Sequence, residues 1–309
     1  MLKNDAGFIC HNCGKKVEKL GYTSRDHCPY CLHSLHVDIV PGDRANECHG
    51  DLVPIAVETN TKKGYIIIYK CAKCGEIKKN KSADDDNFDT ILTIAVADAI
   101  INKKNYGQTL KKYALEYSNK LPKIKPYFKT MFSPNFTEWA KGKERGYSCG
   151  NGAMMRISPV GFLFNTEAEV TKNARLATRP SHDTEEAIMC ATVVALAIFY
   201  ARLGHTKKQI KHELNYEVKK PVIKKFNTTC KETINVCLYS FFKGKSFEDC
   251  IKTVLSFGGD TDTNAAIVGS MAEAFYGIDE NLKQQALKKL PTEFVKILNQ
   301  CYKKIDLSV

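Results

Sequence analysis

The sequence predicts a multidomain protein, with a small β-rich module followed by a larger all-α domain. Seven of the 13 cysteines stand before residue 75, in a segment with strand-like runs such as "GYIIIYKC". Later in the chain, apolar residues recur at helical spacing, as in "FDTILTIAVADAII" and "TNAAIVGSMAEAFYG". The acidic stretch "NKSADDDN" is typical of a surface connection, so we place the domains at 1–86 and 87–309.

Composition narrows the class of protein. A chain of 309 residues that is 43% hydrophobic is long enough for a sizeable core. It contains no apolar run of 18 residues, and its first residues do not resemble a secretion signal. We therefore expect a cytoplasmic protein without membrane contact, in which paired cysteines bind metal rather than form disulfides.

Net charge is distributed unevenly between the two parts. Residues 1–86 hold 13 Lys and Arg against 12 Asp and Glu, for a net charge of +1, whereas the whole chain carries +12. The larger part therefore attracts phosphate-bearing partners, or it simply has a Lys-rich solvated surface. The near-neutral module predicts at most weak contact with nucleic acid.

Two pairs of cysteines near the start of the chain have the spacing of a zinc site. They are Cys10, Cys13, Cys28 and Cys31. Two such CxxC pairs supply four thiolates for tetrahedral zinc, and small modules with thin cores need this kind of staple. We predict a structural zinc ion here.

A second group of cysteines predicts another zinc site. Cys48, Cys71 and Cys74 offer three thiolates, and His36, His49 and His27 are candidates for the fourth ligand. Each of these histidines has an alternative role as a solvated or hydrogen-bonded side chain.

The stretch "FGGDTDTNAAIVG" places two carboxylates and two hydroxyls between a glycine pair and a helix. Asp260, Asp262 and Thr263 offer hard oxygen atoms, which suit Mg²⁺ or Mn²⁺. Asp and Thr also serve as ordinary helix N-caps, so the residues themselves leave both interpretations open.

Two further stretches suggest a ligand site. In "SCGNGAMMRISPVG", Gly150 and Gly152 permit close backbone approach to a ligand, and Arg156 suits a phosphate. The alternative is a glycine-rich crossing of two helices. In "SHDTEEA", His182 precedes a long apolar helix and is suited to capping the helix or stacking on a ligand.

The cysteine-rich part resembles the RNHCP domain, named after an Arg-Asn-His-Cys-Pro motif that here reads "RDHCP". The elements "HVD", "PGDR" and "CxxCG" also match over residues 7–86. This resemblance implies a zinc-binding fold and favours His36 as the fourth ligand of the second site.

The rest of the chain resembles the ADP-ribosylglycohydrolase family. "GNGAMMRISPVG", "SHDTEEA" and "GGDTDTNAAIVGSMAEAFYG" follow its motif order over residues 87–303. The resemblance implies an all-α orthogonal helical bundle that binds one or two Mg²⁺ or Mn²⁺ ions beside ADP-ribose and hydrolyses the bond at ribose C1″. It implies metal and catalytic roles for Asp89, Asp260 and Asp262, and a metal contact for Thr263. The implied ADP-ribose-binding residues are Gly150, Asn151, Gly152, Arg156 and His182.

The chain departs from this family at two places. The family motif "TDD[ST]" aligns with "NFDT", so that Phe88 replaces a metal carboxylate and Asp89 keeps the other. A "GDAxG" helix and a catalytic Glu, expected upstream, have no visible counterpart. Four acidic residues of the module are candidates to replace this catalytic Glu: Asp84, Asp85, Asp86 and Glu47.

Three functions therefore compete on the sequence. The first is a divergent ADP-ribosyl glycohydrolase acting on a modified protein or nucleic acid. The second is a protein that binds ADP-ribose or a related nucleotide without cleaving it, because a phenylalanine coordinates nothing. The third is a nucleic-acid adaptor built on the zinc module.

Overall fold

The computed structural model describes residues 7–12, 14, 16–17, 26–28, 33–39, 45–60, 64–81, 89–120, 133–222, 228–288 and 290–306. Within these residues, strands form before residue 82 and helices form after residue 88. This arrangement agrees with the predicted fold class. The predicted boundary at 86/87 lies outside the described residues.

Two antiparallel sheets make up the β-rich module. The short strands β1 (Phe8–Ile9) and β2 (Lys16–Val17) pair with each other. The second sheet has the order β3-β4-β5-β6 and is antiparallel throughout. Its strands are β3 (Ser34–His36), β4 (Gly50–Asn60), β5 (Gly64–Cys71) and β6 (Ile77–Lys81).

Among the described residues, each sheet has a small buried apolar cluster. One buried cluster consists of Cys10, Val17 and Cys28, with Phe8 packed against it. The other lies on the four-stranded sheet and contains Leu52, Ile67, Tyr69 and Cys71, together with the half-buried Cys48. Cysteines therefore form a large share of both cores. Small cores of this kind stabilise a fold poorly unless a disulfide or metal ion joins their parts.

The second part of the chain is helical. Its helices are α1 (Asp89–Ile101), α2 (Tyr106–Lys120), α3 (Pro134–Lys141), α4 (Gly152–Met155), α5 (Ser158–Leu163), α6 (Glu167–Thr178), α7 (Glu185–Arg202), α8 (Lys207–Leu214), α9 (Cys230–Lys243), α10 (Phe247–Ser256), α11 (Thr261–Tyr276), α12 (Glu280–Leu287) and α13 (Thr292–Asp306). None of the described helices is long and apolar enough to cross a membrane.

Helix α7 lies at the centre of this helical body. Its residues are apolar on every side, and 12 of its 18 residues are buried. A helix without a polar face is stable in water only when other helices surround it. Accordingly, helices α5, α6, α9 and α11 pack against α7 and share its core.

Gly161 marks the point at which α5 crosses α7. A Cβ atom at this position would lie 2.5 Å from the carbonyl oxygen of Ala195 and 2.7 Å from Cβ of Ile198. The absence of a side chain is what lets the two backbones approach. Gly161 therefore belongs to a helix crossing, the alternative interpretation of the glycine-rich stretch, whereas Gly150 and Gly152 lie elsewhere.

The β-rich module packs against the helical body near the start of α11. Strand β4 contacts α10, the helix that leads into the glycine pair. The side-chain nitrogen of Asn12 lies 3.8 Å from the position that a Cβ atom would take at Gly258. Asn12 lies in the turn that follows Cys10, which we call the first cysteine turn. This turn is therefore a neighbour of the "GGDTDT" segment.

The Gly161 crossing makes a testable prediction about packing. Substitution Gly161→Ala should lower the free energy of unfolding by about 1–3 kcal/mol, because the added methyl group overpacks a rigid crossing. Urea denaturation measures the change. Gly269→Ala in α11 is the matched control, since its methyl group would meet only Cδ1 of Ile251 at 3.6 Å. Equal destabilisation by the two substitutions would contradict the assigned crossing.

Candidate functional site

The glycine pair before α11 has the backbone conformation that glycine favours. Gly258 and Gly259 have φ angles of 69° and 84°, in the left-handed region where a Cβ atom is strained. Two such residues in succession turn the chain sharply after α10. The turn places Asp260 at the N-cap position of α11 and Asp262 in its first turn.

Asp260 does not cap the helix that it precedes. Its side chain accepts no hydrogen bond from the backbone of α11, whereas Thr184 and Thr229 cap α7 and α9 in the ordinary way. Instead, Oδ2 of Asp260 accepts a hydrogen bond of 2.6 Å from Nδ2 of Asn151. Of the two interpretations of this segment, the capping one therefore fails for Asp260.

The Asn151 amide joins two segments that are distant in sequence. It also donates to Oγ1 of Thr233 at 3.3 Å, so that α9 takes part in the same contact. Thr233 lies in none of the motifs described above, so no sequence signal pointed to this contact. Asn151 itself stands at the N-cap of the short helix α4, without capping it.

The residues after Asp260 differ in exposure. Asp260 and Asp262 are half-buried, whereas Thr263 is 5% exposed. Two carboxylates and a hydroxyl therefore lie within the first turn of α11. This donor set consists of hard oxygen atoms, the chemistry that Mg²⁺ and Mn²⁺ prefer.

Gly150 and Gly152 leave space beside the ring of His182. Cβ atoms at these two positions would lie 3.8 and 3.9 Å from Nε2 of His182. The backbone of the segment that carries His182 also pairs with Tyr147. Nε2 of His182 therefore faces the glycine-rich loop.

A chain of hydrogen bonds sets the protonation of this imidazole. Nη2 of Arg156 lies 2.7 Å from Oγ of Ser181, which in turn lies 2.8 Å from Nδ1 of His182. Nη2 of Arg156 also lies 3.4 Å from Nδ1 of His182. Because arginine only donates, Nδ1 is an acceptor, and the serine hydroxyl accepts from Arg156 and donates to Nδ1. Nε2 of His182 then carries the hydrogen and is a donor toward the loop.

Burial lowers the pKa of His182 well below its ordinary value, and the nearby charge of Arg156 lowers it further. Burial also lowers the pKa of Arg156 to about 10. The guanidinium of Arg156 is 1% exposed and lies against the ring of Phe136 at 5.7 Å. Arg156 lies beneath the loop and contacts Ser181 and His182. A contact between Arg156 and a ligand phosphate stays a prediction.

The start of α1 approaches the same region. Asp89 is the first residue of this helix, and one turn later Oγ1 of Thr93 donates to the carbonyl oxygen of Met155 at 3.4 Å. The side chain of Asp89 lies outside the described part of the chain, as do Phe88 and the acidic residues 84–86. Glu47, another predicted substitute, is exposed on the β-rich module.

The structure brings together the four residues predicted as the second zinc site. The ligand atoms of His36, Cys48, Cys71 and Cys74 all lie within 4.8 Å of one another. Sγ of Cys48 is 3.6 Å from Sγ of Cys71, and Nδ1 of His36 is 3.3 Å from Sγ of Cys74. Two thiolates on tetrahedral zinc at about 2.3 Å are separated by about 3.7 Å, so the spacing fits.

Neighbouring groups orient these four side chains. Nε2 of His36 lies 3.0 Å from the amide of Asn46 and 3.2 Å from a carboxylate oxygen of Glu76. Burial raises the pKa of the Cys71 thiol, but hydrogen bonds from the backbone of Cys74 and Lys73 outweigh it and lower the pKa to about 6. The thiol is thus prepared to act as a thiolate ligand.

The other two candidate histidines are not part of this cluster. His49 is exposed, and His27 is buried. Of the first predicted zinc site, Cys10 and Cys28 lie in one buried cluster. Cys13 and Cys31 lie outside the described residues.

Of the six later cysteines, five are buried: Cys190, Cys230, Cys237, Cys250 and Cys301. The sixth, Cys149, is exposed beside the glycine-rich loop. A hydrogen bond with Cys190, together with burial, raises the pKa of Cys230. The Cys230 thiol therefore stays protonated.

The fold is a helical body that carries an additional cysteine-rich module. A family model described as ADP-ribosylglycohydrolase matches residues 74–307, and one described as RNHCP domain matches residues 5–92. The chain belongs to the ADP-ribosylglycohydrolase family. The two matches overlap at 74–92, across the predicted domain boundary.

Individual proteins resemble the chain at low identity. An uncharacterized protein of Archaeoglobus fulgidus is 23% identical over 65% of this chain and 73% of its own length. The ADP-ribosyl-[dinitrogen reductase] glycohydrolase of Rhodospirillum rubrum is 27% identical over 42% of this chain and 47% of its own length. ADP-ribosylhydrolase ARH3 of Homo sapiens is 22% identical over 62% and 71%.

A solved structure, titled ADP-ribosylglycohydrolase-related protein complex, is similar with a TM-score of 0.53. Its sequence is 20% identical, and the similarity covers 71% of this chain and 81% of that chain. At this identity the likeness establishes the fold.

His182 makes a prediction about pH. The folded protein holds this imidazole neutral, so unfolding takes up a proton when the pH falls below the ordinary pKa of 6.5. The free energy of unfolding should then fall by up to about 1.4 kcal/mol per pH unit more in the wild type than in His182→Gln. Urea titrations between pH 5 and 8, parallel above about 6.5 and divergent below, check this. Parallel curves throughout would contradict a buried neutral imidazole.

Proposed function

We propose that this protein is a divergent, divalent-metal-dependent ADP-ribosyl glycohydrolase that hydrolyses the ribose C1″ bond of an ADP-ribosylated protein or nucleic acid. The observation that carries the proposal is the hydrogen bond from Asn151 to Asp260. This bond joins the "GNG" and "GGDTDT" motifs, and the Asp260 carboxylate that accepts it makes no capping bond to α11. Family membership supplies the class of reaction.

The oxygen donors suit one hard divalent cation. Asp260, Asp262 and Thr263 would hold Mg²⁺ or Mn²⁺, with Asp89 as a further ligand from α1. When bound, such an ion supplies charge that polarises water and the ribose hydroxyls. The two half-buried carboxylates orient these groups, and one of them accepts the proton of the attacking water.

The other loop suits the ADP-ribose itself. Gly150 and Gly152 leave the backbone accessible, so that sugar or phosphate oxygen atoms approach closely. Nε2–H of His182 donates to an oxygen or nitrogen of the ligand from below the loop. Since the imidazole stays neutral, its contribution is orientation rather than proton transfer.

Binding of ADP-ribose without cleavage is the second candidate function. The observation that favours it is Phe88, which occupies the place of a metal carboxylate in the family motif. Losing one ligand weakens a metal site by orders of magnitude, while the nucleotide contacts are largely separate from it. The two candidate functions share the binding site and differ in turnover.

For the β-rich module we propose two structural zinc ions, one held by Cys10, Cys13, Cys28 and Cys31 and one by His36, Cys48, Cys71 and Cys74. The distances in the second group carry this proposal. Gly50 supports it, because a Cβ atom there would lie 2.5 Å from Sγ of Cys71 and 3.3 Å from Sγ of Cys48. The residue is glycine because the thiols occupy that space.

The glycohydrolase proposal predicts release of ADP-ribose in the presence of Mn²⁺ or Mg²⁺ from a substrate modified at arginine, serine or a nucleic-acid base. Asp262→Asn should lower kcat/KM by about 100-fold or more, since it weakens a metal ligand. Released ADP-ribose is measured by chromatography. Asp279→Asn is the matched control, because Asp279 caps exposed helix α12 and asparagine caps equally well.

Calorimetry with ADP-ribose separates the two candidate functions. Binding without release from any of the three substrates would favour the non-cleaving protein. Absence of both binding and release would contradict both candidates. Equal activity of the two Asp→Asn variants would remove Asp262 from the site.

The zinc proposal predicts that Cys74→Ser lowers the zinc content of the purified chain by one ion relative to Cys149→Ser. Both thiols are exposed, but only Cys74 lies in the cluster with His36. Serine is a poor zinc ligand, so the site should also release its ion to chelators more readily. Elemental analysis gives the content, and an equal zinc content in the two variants would refute the assigned ligand set.

A further inference from the structure

A second cluster of metal-ligating side chains lies between the two sheets of the β-rich module. It consists of His11, His33 and Asp51, whose ligand atoms all lie within 4.8 Å of one another. None of the predicted sites includes these residues. They come from the first cysteine turn, from the segment before β3 and from β4, so only the fold brings them together.

Both imidazoles converge on one carboxylate. Nε2 of His11 lies 2.8 Å from Oδ1 of Asp51, and Nδ1 of His33 lies 3.0 Å from the same oxygen and 3.1 Å from Oδ2. Donor atoms on tetrahedral zinc at about 2.0–2.2 Å are about 3.4 Å apart. The N–O distances would have to lengthen by about 0.3–0.6 Å to reach this spacing, so the three side chains are already close to the arrangement that an ion needs.

Backbone hydrogen bonds fix two of the three residues, His33 and Asp51. The amide of Cys28 donates to the carbonyl oxygen of His33 at 2.9 Å, and that of Ala72 donates to the carbonyl oxygen of Asp51 at 2.8 Å. Asp51 also pairs with Leu35 across the sheet. Side chains on rigid elements lose little entropy when they bind an ion.

Exposure differs within the cluster in a way that suits an open site. The side chain of His33 is 6% exposed, that of Asp51 is 23% exposed and that of His11 is 34% exposed. The buried side would be closed by protein ligands, while solvent reaches the side of His11. Two imidazoles and one carboxylate with an accessible fourth position are the ligand set of open, non-structural sites for zinc and similar cations.

We propose that His11, His33 and Asp51 form a third metal site, which binds a divalent transition cation such as Zn²⁺ and keeps a position open to water or to an oxygen ligand. The site lies close to the candidate glycohydrolase site, because the residue after His11, Asn12, contacts the Gly258 turn. The proposal stands independently of the glycohydrolase function.

The test compares the full-length wild type with Asp51→Asn, His33→Gln and the matched control His212→Gln, in which the imidazole is 88% exposed on α8. Zn²⁺ content is measured after dialysis against a fixed free Zn²⁺ concentration. We expect both cluster variants to bind one ion fewer than the wild type and His212→Gln. Affinity at this site should fall by about 100-fold or more, since a direct ligand is lost.

Substitution by Co²⁺ separates this site from the thiolate sites. Occupancy of His11, His33 and Asp51 adds visible absorption without a sulfur charge-transfer band, and that increment should be missing in Asp51→Asn. Thiolate bands that persist in Asp51→Asn show that the module is still folded. Equal Zn²⁺ content and equal Co²⁺ spectra in wild type and Asp51→Asn would overturn the proposal and leave a hydrogen-bonded link between the sheets.

Discussion

The helical body depends on the burial of α7. This helix is apolar on most sides, so other helices pack around most of its length, and in doing so they bring their connecting loops together. The residues just before α7 take part in this: Oγ1 of Thr184 donates to the carbonyl oxygen of Ser148, and His182 faces Gly150 and Gly152. The candidate site is thus formed at the ends of the helices that make the core.

In this helical body, the contact between Asn151 and Asp260 links residues that are 109 positions apart in the sequence. A carboxylate at a helix N-terminus is normally stabilised by the backbone amides of its own helix. Here the carboxylate is held from the side by an amide of another loop, at 2.6 Å. The geometry is that of a positioned functional group rather than a helix cap, and it favours the metal-binding interpretation of "GGDTDT".

The β-rich module has a different basis for its stability. Its two apolar clusters are small, and cysteines occupy a large part of both. Among the described residues of this module, two groups of side chains could hold a metal ion: one contains His36, Cys48, Cys71 and Cys74, and the other contains His11, His33 and Asp51. The first cysteine turn also reaches the Gly258 turn of the helical body. The module and the candidate site are therefore physical neighbours, and any metal that orders the module also orders the surface beside that site.

The amino-acid pattern by itself predicted a β-rich part followed by a helical part, and it predicted the family. These depend on local spacing, which hydrophobic periodicity and short motifs record directly. The tertiary structure brings His36, the histidine that the resemblance favoured, to the thiols. Only the tertiary structure shows that Arg156 is buried beneath His182 and that Asp260 bonds to Asn151. It also brought His11, His33 and Asp51 together. Contacts between residues distant in sequence depend on how strands pair and helices cross, and no local pattern encodes that packing.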